Sequence, residues 1–484
     1  MNLLQAGKQE RPMTKSSTRT LSIFLLAMIN VSAICSIKNW PLTAEYGFAS
    51  LFYFLLAGIF FFIPVSLVSA ELATGWPQRG GVYVWVREAF GHRAGFLAAW
   101  LLWVENVVWY PTILSFIAGT IAFSVHPQLA THPGYMFLVI LASFWGLTAL
   151  NLFGMKVSGW ISSIGVILGT LVPGIIIIAL GGAWLASGNP SSIGFGWSDL
   201  IPRLNTPAQL SLLAGVLLGF GGMEMSAVHA REVKNPQHDY PRAILLSAVL
   251  IIALSVLGTL AIAIIIPQQK ISLVSGGIAA IARVLDAYQW GGLTPLIALL
   301  VSLGALGTVS TWVAGPNKGL LAAAQDGDFP PLLHRINRHN MPVALLILQA
   351  IIVSCLSALF LFMPTINSSF WLLLALASQL YLVMYILMFL AAIILRFTRP
   401  NQPRAYRIPG GHVGMIVVAG LGLLGALFTL VISFFPPTQF ATGNALFYCL
   451  FLGAGMVLFC SAPFLILLFK KPSWKTPIPF KEDN

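Results

Sequence analysis

Apolar runs of roughly 18 to 25 residues recur along the whole chain and are separated by short polar segments. Runs of this length are typical of helices that cross a bilayer, whereas the short alternating strands of an outer-membrane barrel are not visible. The pattern predicts an all-α integral membrane protein with about twelve transmembrane helices, which puts both chain ends on one side. The predicted helices begin near Leu21, Gly47, Gly95, Gly134, Gly159, Ala208, Pro241, Gly291, Pro342, Ser369, Val413 and Ala445.

The composition supports this class, because 58% of the residues are apolar, only 8% are charged and the mean hydropathy is +0.87. Soluble proteins carry roughly 25% charged residues, so soluble enzymes, DNA-binding proteins and disordered chains are excluded. The four cysteines form no C-x-x-C pair, and the eight histidines lie mainly in predicted loops. We therefore expect neither a metal framework nor a cofactor, and a protein that is not an enzyme. A nucleotide-binding P-loop is also missing from the sequence, which argues against an ATP-driven pump.

The basic residues are distributed unequally between the two sets of predicted loops. Of the 26 lysines and arginines, 22 lie in the two tails and in the loops on the same side. The opposite set contains only Lys38, Arg203, Lys270 and Arg283. Loops rich in lysine and arginine stay in the cytoplasm, so both termini are predicted to be cytoplasmic. This distribution explains the net charge of +12 without a nucleic-acid partner.

Two predicted helices contain residues that a simple lipid-facing helix would avoid. The first contains Asn30-Val31-Ser32-Ala33, and the sixth contains Gly219-Phe220-Gly221-Gly222 followed closely by Glu224. Each site alone also fits helix packing, with the glycines as a close-packing face and Asn30 in a hydrogen bond between helices. However, helices 1 and 6 are the first members of two five-helix units, and an odd number reverses the orientation of the second unit. The pattern thus predicts an inverted repeat with substrate bound at two helix breaks, as in secondary transporters.

Several motifs resemble those of one transporter family. They are ELATGWPQRGGVYVWV at 71–86 with Gly91, GMEMSA at 222–227, Asn235-Pro236, Asp239-Tyr240-Pro241, WVAGPNKG at 312–319, Pro342-Val343 and IPGG at 408–411. Together they resemble the amino acid/polyamine/organocation superfamily, and the later ones are similar to its bacterial glutamate/GABA antiporter branch. The resemblance extends over nearly the whole chain, from about Leu21 to Phe469.

The resemblance implies a LeuT-like fold, with a 5+5 inverted repeat and two additional C-terminal helices. The expected units are a basic cytoplasmic tail at 1–20, the two repeats at 21–200 and 201–400, the additional helices at 401–469, and a short cytoplasmic tail at 470–484. It also implies an amino acid antiporter in a bacterial inner membrane that works by alternating access. A proton- or sodium-coupled symporter is the alternative, and a channel is the third candidate.

The sequence departs from the family pattern at three places. The first predicted break lacks the two glycines that many members carry. Glu105 occupies a position where the antiporter branch is expected to have an uncharged residue. Ser162 and Ser163 lie in the fifth helix, where some proton-coupled relatives have a lysine in place of a sodium ion. Substrate identity and coupling ion therefore stay open.

The candidate substrate site is predicted at the two breaks, because a bound amino acid brings a carboxylate and an ammonium into a low-dielectric cavity. The N–H groups after Ser32 suit the carboxylate, and the carbonyls before Gly221 suit the ammonium. The residues assigned to substrate binding at the breaks are Asn30, Val31, Ser32, Ala33, Phe220, Gly221, Gly222 and Glu224.

Other side chains join the site through the resemblance, which implies that helices 3, 8 and 10 line the same cavity. It implies that Phe220 covers the site and that Tyr381 and Tyr385 provide hydroxyl groups, although both tyrosines also fit simple core packing. Glu105 and Thr308 are candidates for coupling or selectivity. Lys38 is a third such candidate, which either attracts an acidic substrate at the external mouth or anchors at the membrane interface.

Two carboxylates are predicted to lie inside the membrane, where ionisable residues usually serve a function. Glu105 and Glu224 lie far from any predicted loop. Placing such a group at mid-bilayer costs roughly 2.5 to 3.5 kcal/mol, so these side chains are expected to face the protein interior or an aqueous cavity.

Overall fold

The computed structural model describes residues 22–77, 80–153, 171–202, 206–224, 238–324, 327–339, 341–439 and 441–474. Within these ranges the protein is helical and has no β-strand, apart from one isolated bridge between Ile336 and Pro342. Nine of the described helices are long and apolar enough to cross a membrane. They are Gly47–Gly75, His92–Val125, Pro133–Asn151, Asp239–Ile265, Gly291–Asn317, Val343–Phe362, Ile366–Thr398, Gly411–Ile432 and Ala445–Leu468.

These nine correspond to nine of the twelve helices predicted from the sequence. The other three are shorter or only partly described, so the count of twelve stays a prediction. The beginning of the predicted fifth helix, near Gly159, lies outside the described residues, as do Ser162 and Ser163.

The α-helices are numbered in chain order. They are α1 (Ile23–Ile34), α2 (Trp40–Ala44), α3 (Ser50–Ala57), α4 (Ile63–Gly75), α5 (Val82–Phe90), α6 (His92–Val125), α7 (Pro133–Asn151), α8 (Val172–Ala186), α9 (Trp197–Leu200), α10 (Leu213–Leu218), α11 (Asp239–Ile265), α12 (Gly276–Ala287), α13 (Thr294–Ala324), α14 (Val343–Ser357), α15 (Leu359–Phe362), α16 (Ile366–Thr398), α17 (Gly411–Ile432) and α18 (Ala445–Leu468). A π-helical turn, Gly58–Phe62, joins α3 to α4.

The first helix break lies further along the chain than predicted. Helix α1 continues through Asn30–Ala33, and the chain leaves the helical conformation only at Cys35 and Ser36. Ser36 is extended, with φ −134° and ψ 125°, and precedes a 3₁₀ turn, Ile37–Asn39, that leads into α2. Pro41 lies in the first turn of α2, where proline favours helix initiation. The prediction of a break at Asn30–Ala33 is therefore wrong.

Asn30 stays inside α1 because its side chain finds a partner on another helix. Its Nδ2 donates to the hydroxyl of Ser247 on α11, at 2.9 Å. This is the alternative interpretation of Asn30, a hydrogen bond between packed helices. It leaves the polar side chain satisfied without any interruption of the backbone.

The second break lies where it was predicted. Helix α10 ends at Leu218, and residues 219–222 are not helical. Gly222 has a φ of +115°, a conformation that side chains other than glycine rarely adopt. The position of this break is therefore fixed by the backbone freedom of glycine.

Helix α6 lies at the centre of the protein. It packs against α5, α7, α13 and α16. Of its most apolar stretch 78% is buried inside the protein, whereas the corresponding figure for α18 is 11%. Helix α18 is thus peripheral, and its exposed leucines and valines suit contact with lipid. The central position of α6 brings its polar residues next to both breaks.

A buried cluster of ion pairs connects α4, through Glu71, to the last turn of α16 and to the segment that links α16 and α17. Glu71 Oε1 accepts a bond from Arg396 Nη1 at 2.6 Å and lies 3.5 Å from Arg404 Nε. The second carboxylate oxygen accepts from the backbone N–H of Ile408 at 2.8 Å. Arg396 also donates to the carbonyls of Ile408 and Gly411. One carboxylate thus holds two guanidinium groups and a loop in place.

Candidate functional site

A cavity of about 80 Å³ lies between the two breaks. By the same measure one water molecule needs roughly 10 to 15 Å³, so the cavity can hold a small organic molecule. Its walls come from five parts of the chain: the first break, the second break, α6, α13 and α16. The lining residues are Ile34 to Asn39; Leu218, Gly219 and Gly221; Glu105, Asn106, Trp109, Ile113 and Phe116; Ala305, Thr308 and Trp312; and Tyr381.

The first break contributes the polar residues Ser36, Lys38 and Asn39 to the cavity wall. Ser36 precedes the 3₁₀ turn without capping it through its side chain. The first N–H groups of a helical turn lack partners within that turn and carry partial positive charge. The 3₁₀ turn after Ser36 therefore begins beside the cavity with partly positive backbone groups.

The second break brings the main chain close to a tyrosine. A Cβ atom added to Gly221 would lie 2.5 Å from Cε1 of Tyr381. Only a residue without a side chain fits between the α10 segment and this ring. Gly221 and Tyr381 therefore form one continuous piece of the cavity wall.

Behind Tyr381 lies a buried carboxylate, Glu224, that accepts hydrogen bonds from two tyrosine hydroxyls. Tyr381 donates its hydroxyl to Glu224 Oε1, and Tyr385 donates to Oε2 at 2.6 Å. The backbone N–H of Gly222 in turn donates to the Tyr385 hydroxyl at 2.9 Å. Glu224 is 3% exposed and does not line the cavity. Its connection to the cavity runs through the Tyr381 hydroxyl.

The other two aromatic candidates do not line the main cavity. Tyr385 packs edge-on against Phe61, with ring centroids 4.9 Å apart. Phe220 stacks on Phe62, with centroids 4.7 Å apart, and borders a separate cavity of about 10 Å³. The role of Phe220 as a cover over the main cavity therefore finds no support in its position.

Helix α6 provides the acidic wall of the cavity. Glu105 Oε2 accepts a bond from Asn106 Nδ2 at 2.9 Å, and the Asn106 amide also donates to the carbonyl of Leu102. Thr308, on the facing helix α13, donates to the carbonyl of Gly304 in its own helix and lines the cavity. Glu105 and Thr308, two of the three residues predicted for coupling or selectivity, are thus in position to contact a ligand.

The position of Lys38 excludes one of the two interpretations made from the sequence. Its side chain is fully buried, with 1% exposure, and Nζ donates to the Thr112 hydroxyl at 3.1 Å. The ammonium also lies 4.6 Å from the ring centroid of Trp109. An anchor at the membrane interface would be exposed, so that interpretation is wrong. The residue belongs to the cavity wall, and its attraction of an acidic substrate stays a prediction.

Of the residues predicted at the first break, the two whose side chains are described do not line the cavity. Asn30 and Val31 are buried within α1, and the side chains of Ser32 and Ala33 lie outside the described part of the protein. Sequence reasoning missed the cavity residues Cys35, Ser36, Asn106, Trp109 and Trp312. The helix-start signal of α2, Asn39 with Pro41 in the first turn, could have placed the break just after α1.

A family model described as amino acid permease matches residues 18–459. An uncharacterised transporter of Legionella pneumophila is 46% identical over 449 residues, which is 93% of this chain and 97% of the relative. A glutamate/gamma-aminobutyrate antiporter of Lactococcus lactis is 34% identical, covering 93% and 90% of the two chains.

A third relative is more distant. It is named a probable agmatine/putrescine antiporter of Lactococcus lactis and is 25% identical, over 81% of this chain and 83% of its own. The region matched by the family model contains both breaks and every helix that lines the cavity, and the similarity to the first two relatives extends over 93% of the chain. The chain therefore belongs to the amino acid permease family, whose members are membrane transporters and not enzymes.

Proposed function

We propose that the protein is an amino acid antiporter that exchanges its substrates by alternating access, with the substrate bound in the cavity between the two breaks. The proposal rests on the observation that both breaks line one cavity. A buried lysine and a buried glutamate line the same cavity. Partly unwound helices provide backbone hydrogen-bond donors and acceptors for a zwitterion, so that charged side chains are not required. The amino acid is the only small-molecule partner in this proposal, and the bilayer is the surrounding medium.

A LeuT-like architecture is part of the proposal. It has twelve transmembrane helices, with repeats at 21–200 and 201–400 and two additional helices at 401–469. Its support is the position of the two breaks, each at the predicted first helix of a five-helix unit, together with their meeting at one cavity. Rocking of one set of helices around a fixed central site would then open the cavity to each side in turn.

Exchange is favoured over ion-coupled symport by the names of two relatives, both antiporters. Counterflow in proteoliposomes distinguishes the two. We expect that labelled amino acid accumulates only in vesicles preloaded with unlabelled amino acid, and that empty vesicles with an imposed proton or sodium gradient accumulate little. Strong uptake into empty vesicles driven by either gradient would establish a symporter instead, and single-channel currents would establish a channel.

We also propose that the protein resides in the inner (plasma) membrane with both termini in the cytoplasm. The support is the distribution of lysine and arginine, 22 on one side against 4 on the other. Single cysteines introduced at Ser16 and at Lys481, with the four native cysteines replaced by serine, should react with an impermeant maleimide only after cells are permeabilised. Labelling of either position in intact cells would contradict this orientation.

Glu224 is expected to take part in substrate or proton handling. Glu224→Gln keeps the shape of the side chain but removes its ability to ionise and alters the bonds from Tyr381 and Tyr385. We predict that it changes the counterflow rate, or the dependence of that rate on pH between 5 and 8, by about tenfold. A variant with wild-type kinetics across this range would show that Glu224 only supports Tyr381.

A further inference from the structure

Lys38 is a buried cation in the cavity wall, and no carboxylate of the described residues lies within 4 Å of its ammonium nitrogen. Its contacts are one hydroxyl, that of Thr112, and the faces of two aromatic rings. The Trp109 centroid lies 4.6 Å from Nζ and the Phe370 centroid 5.8 Å. The lysine is thus enclosed by protein on several sides and faces the cavity on another.

These contacts satisfy the ammonium only in part. An ammonium has three N–H donors, and Thr112 is the single hydrogen-bond acceptor that the described residues provide. Aromatic faces contribute about 0.5 to 2 kcal/mol each, whereas burying an ion costs several kcal/mol. A negatively charged group in the cavity would therefore be stabilised strongly beside Lys38.

The other charged residue of the cavity wall, Glu105, attracts Lys38 electrostatically but does not form a direct ion pair with it. Glu105 accepts its hydrogen bond from Asn106 and forms no ion pair with Lys38 within 4 Å. Thr112, the partner of Lys38, lies seven residues after Glu105 on α6, which corresponds to roughly 10 Å along the helix axis. The cavity wall thus contains one positive and one negative group that attract each other electrostatically without forming a direct ion pair.

A ligand complementary to this wall has opposite charges at its two ends. We propose that Lys38 binds a side-chain carboxylate and that it selects amino acids carrying this second negative group. The inference rests on the proposed antiport function and names the substrate class of the same site. A substrate with a cationic side chain near Lys38 would bring two like charges together in a low-dielectric cavity, which is unfavourable.

The test compares two substrates of the same size that differ in the charge of the side chain. Glutamate and glutamine are offered as labelled substrates in proteoliposome counterflow, with wild-type protein and with Lys38→Met. We expect the wild type to prefer glutamate, and the ratio of glutamate to glutamine counterflow to fall about tenfold or more in Lys38→Met. Lys38→Arg keeps the charge and should keep most of the ratio. Lys270→Met, at an exposed position outside the cavity, is the matched control.

A double variant separates substrate binding from internal charge balance. If Lys38 merely neutralises Glu105, then Lys38→Met combined with Glu105→Gln would restore glutamate counterflow, and the proposal would be overturned. The proposal would also be overturned if Lys38→Met lost counterflow of glutamate and of glutamine equally, or if the wild type preferred glutamine or arginine. Either result would leave the proposed antiport function intact. Absence of counterflow with every amino acid would instead overturn the proposed function.

One measurement is independent of the variants. In detergent solution, glutamate should raise the unfolding temperature of the wild-type protein more than glutamine does at equal concentration, because only a ligand that binds the folded state stabilises it. Equal shifts with the two amino acids would contradict the role of Lys38 even if Lys38→Met failed to fold.

Discussion

Replacement of Gly221 by valine is expected to abolish amino acid counterflow while the protein still inserts into the membrane. The first added carbon would lie 2.5 Å from the Tyr381 ring, so the tyrosine or the backbone of the second break must move. Either movement disturbs the cavity wall and the bond from Tyr381 to Glu224. Displacements of about 1 Å at a binding site can cost about 100-fold in rate, and we expect at least this loss.

The control for this variant is Gly453→Val in α18. A Cβ atom at Gly453 meets no neighbouring atom within 4 Å, and α18 takes no part in the cavity. Expression and size-exclusion profiles show whether each variant is folded. Normal counterflow in Gly221→Val would mean that the second break is a packing feature and does not bind substrate.

Replacement of Glu71 by glutamine is expected to cause the largest loss of stability. The carboxylate holds Arg396, Arg404 and the backbone of Ile408, and both guanidinium side chains are at most 7% exposed. Removing one partner of a buried ion pair leaves uncompensated charge and costs about 3 to 5 kcal/mol. The free energy of unfolding, measured by denaturant titration in mixed micelles, should fall by about this amount.

Glu88→Gln provides the matched control for Glu71. The carboxylate of Glu88 lies 3.6 Å from the guanidinium of Arg87, and the Glu88 side chain is 34% exposed. Exposed pairs contribute roughly 0 to 1 kcal/mol, so this variant should differ little from the wild type. Similar effects of the two substitutions would show that the buried network does not hold α4 to the α16–α17 segment.

Long apolar stretches were predictable because each transmembrane helix is specified by many residues at once. The predicted beginnings at Gly47, Gly134 and Ala445 agree closely with the observed helices. The second break was also predictable, since three glycines in four positions have few other uses inside the membrane. The first break was misplaced because Asn30 and Ser32 looked like interruptions, whereas a partner on α11 accommodates Asn30 within the helix.

The charge pattern of the cavity could not be predicted from the sequence. Lys38 lies directly after a predicted transmembrane helix, where lysines usually extend to the interface. Its true surroundings come from Thr112 and Trp109, more than 70 positions away in the chain. Only the packing of the first break against α6 shows that this lysine is buried. Likewise, the position of Glu224 behind Tyr381 depends on how α16 packs against the second break.

The central claim, that amino acids bind in the cavity between the two breaks, is tested most directly at Cys35. This thiol lines the cavity, whereas Cys355 and Cys449 are exposed and Cys460 is partly exposed. In a variant that keeps Cys35 alone, the rate of modification by a small methanethiosulfonate reagent is measured in proteoliposomes with and without glutamate. The cavity opens during alternating access, so Cys35 should react, and saturating glutamate should slow the reaction about tenfold or more while an equal concentration of glucose has no effect. A rate that is the same with and without every amino acid that the protein exchanges would contradict the claim.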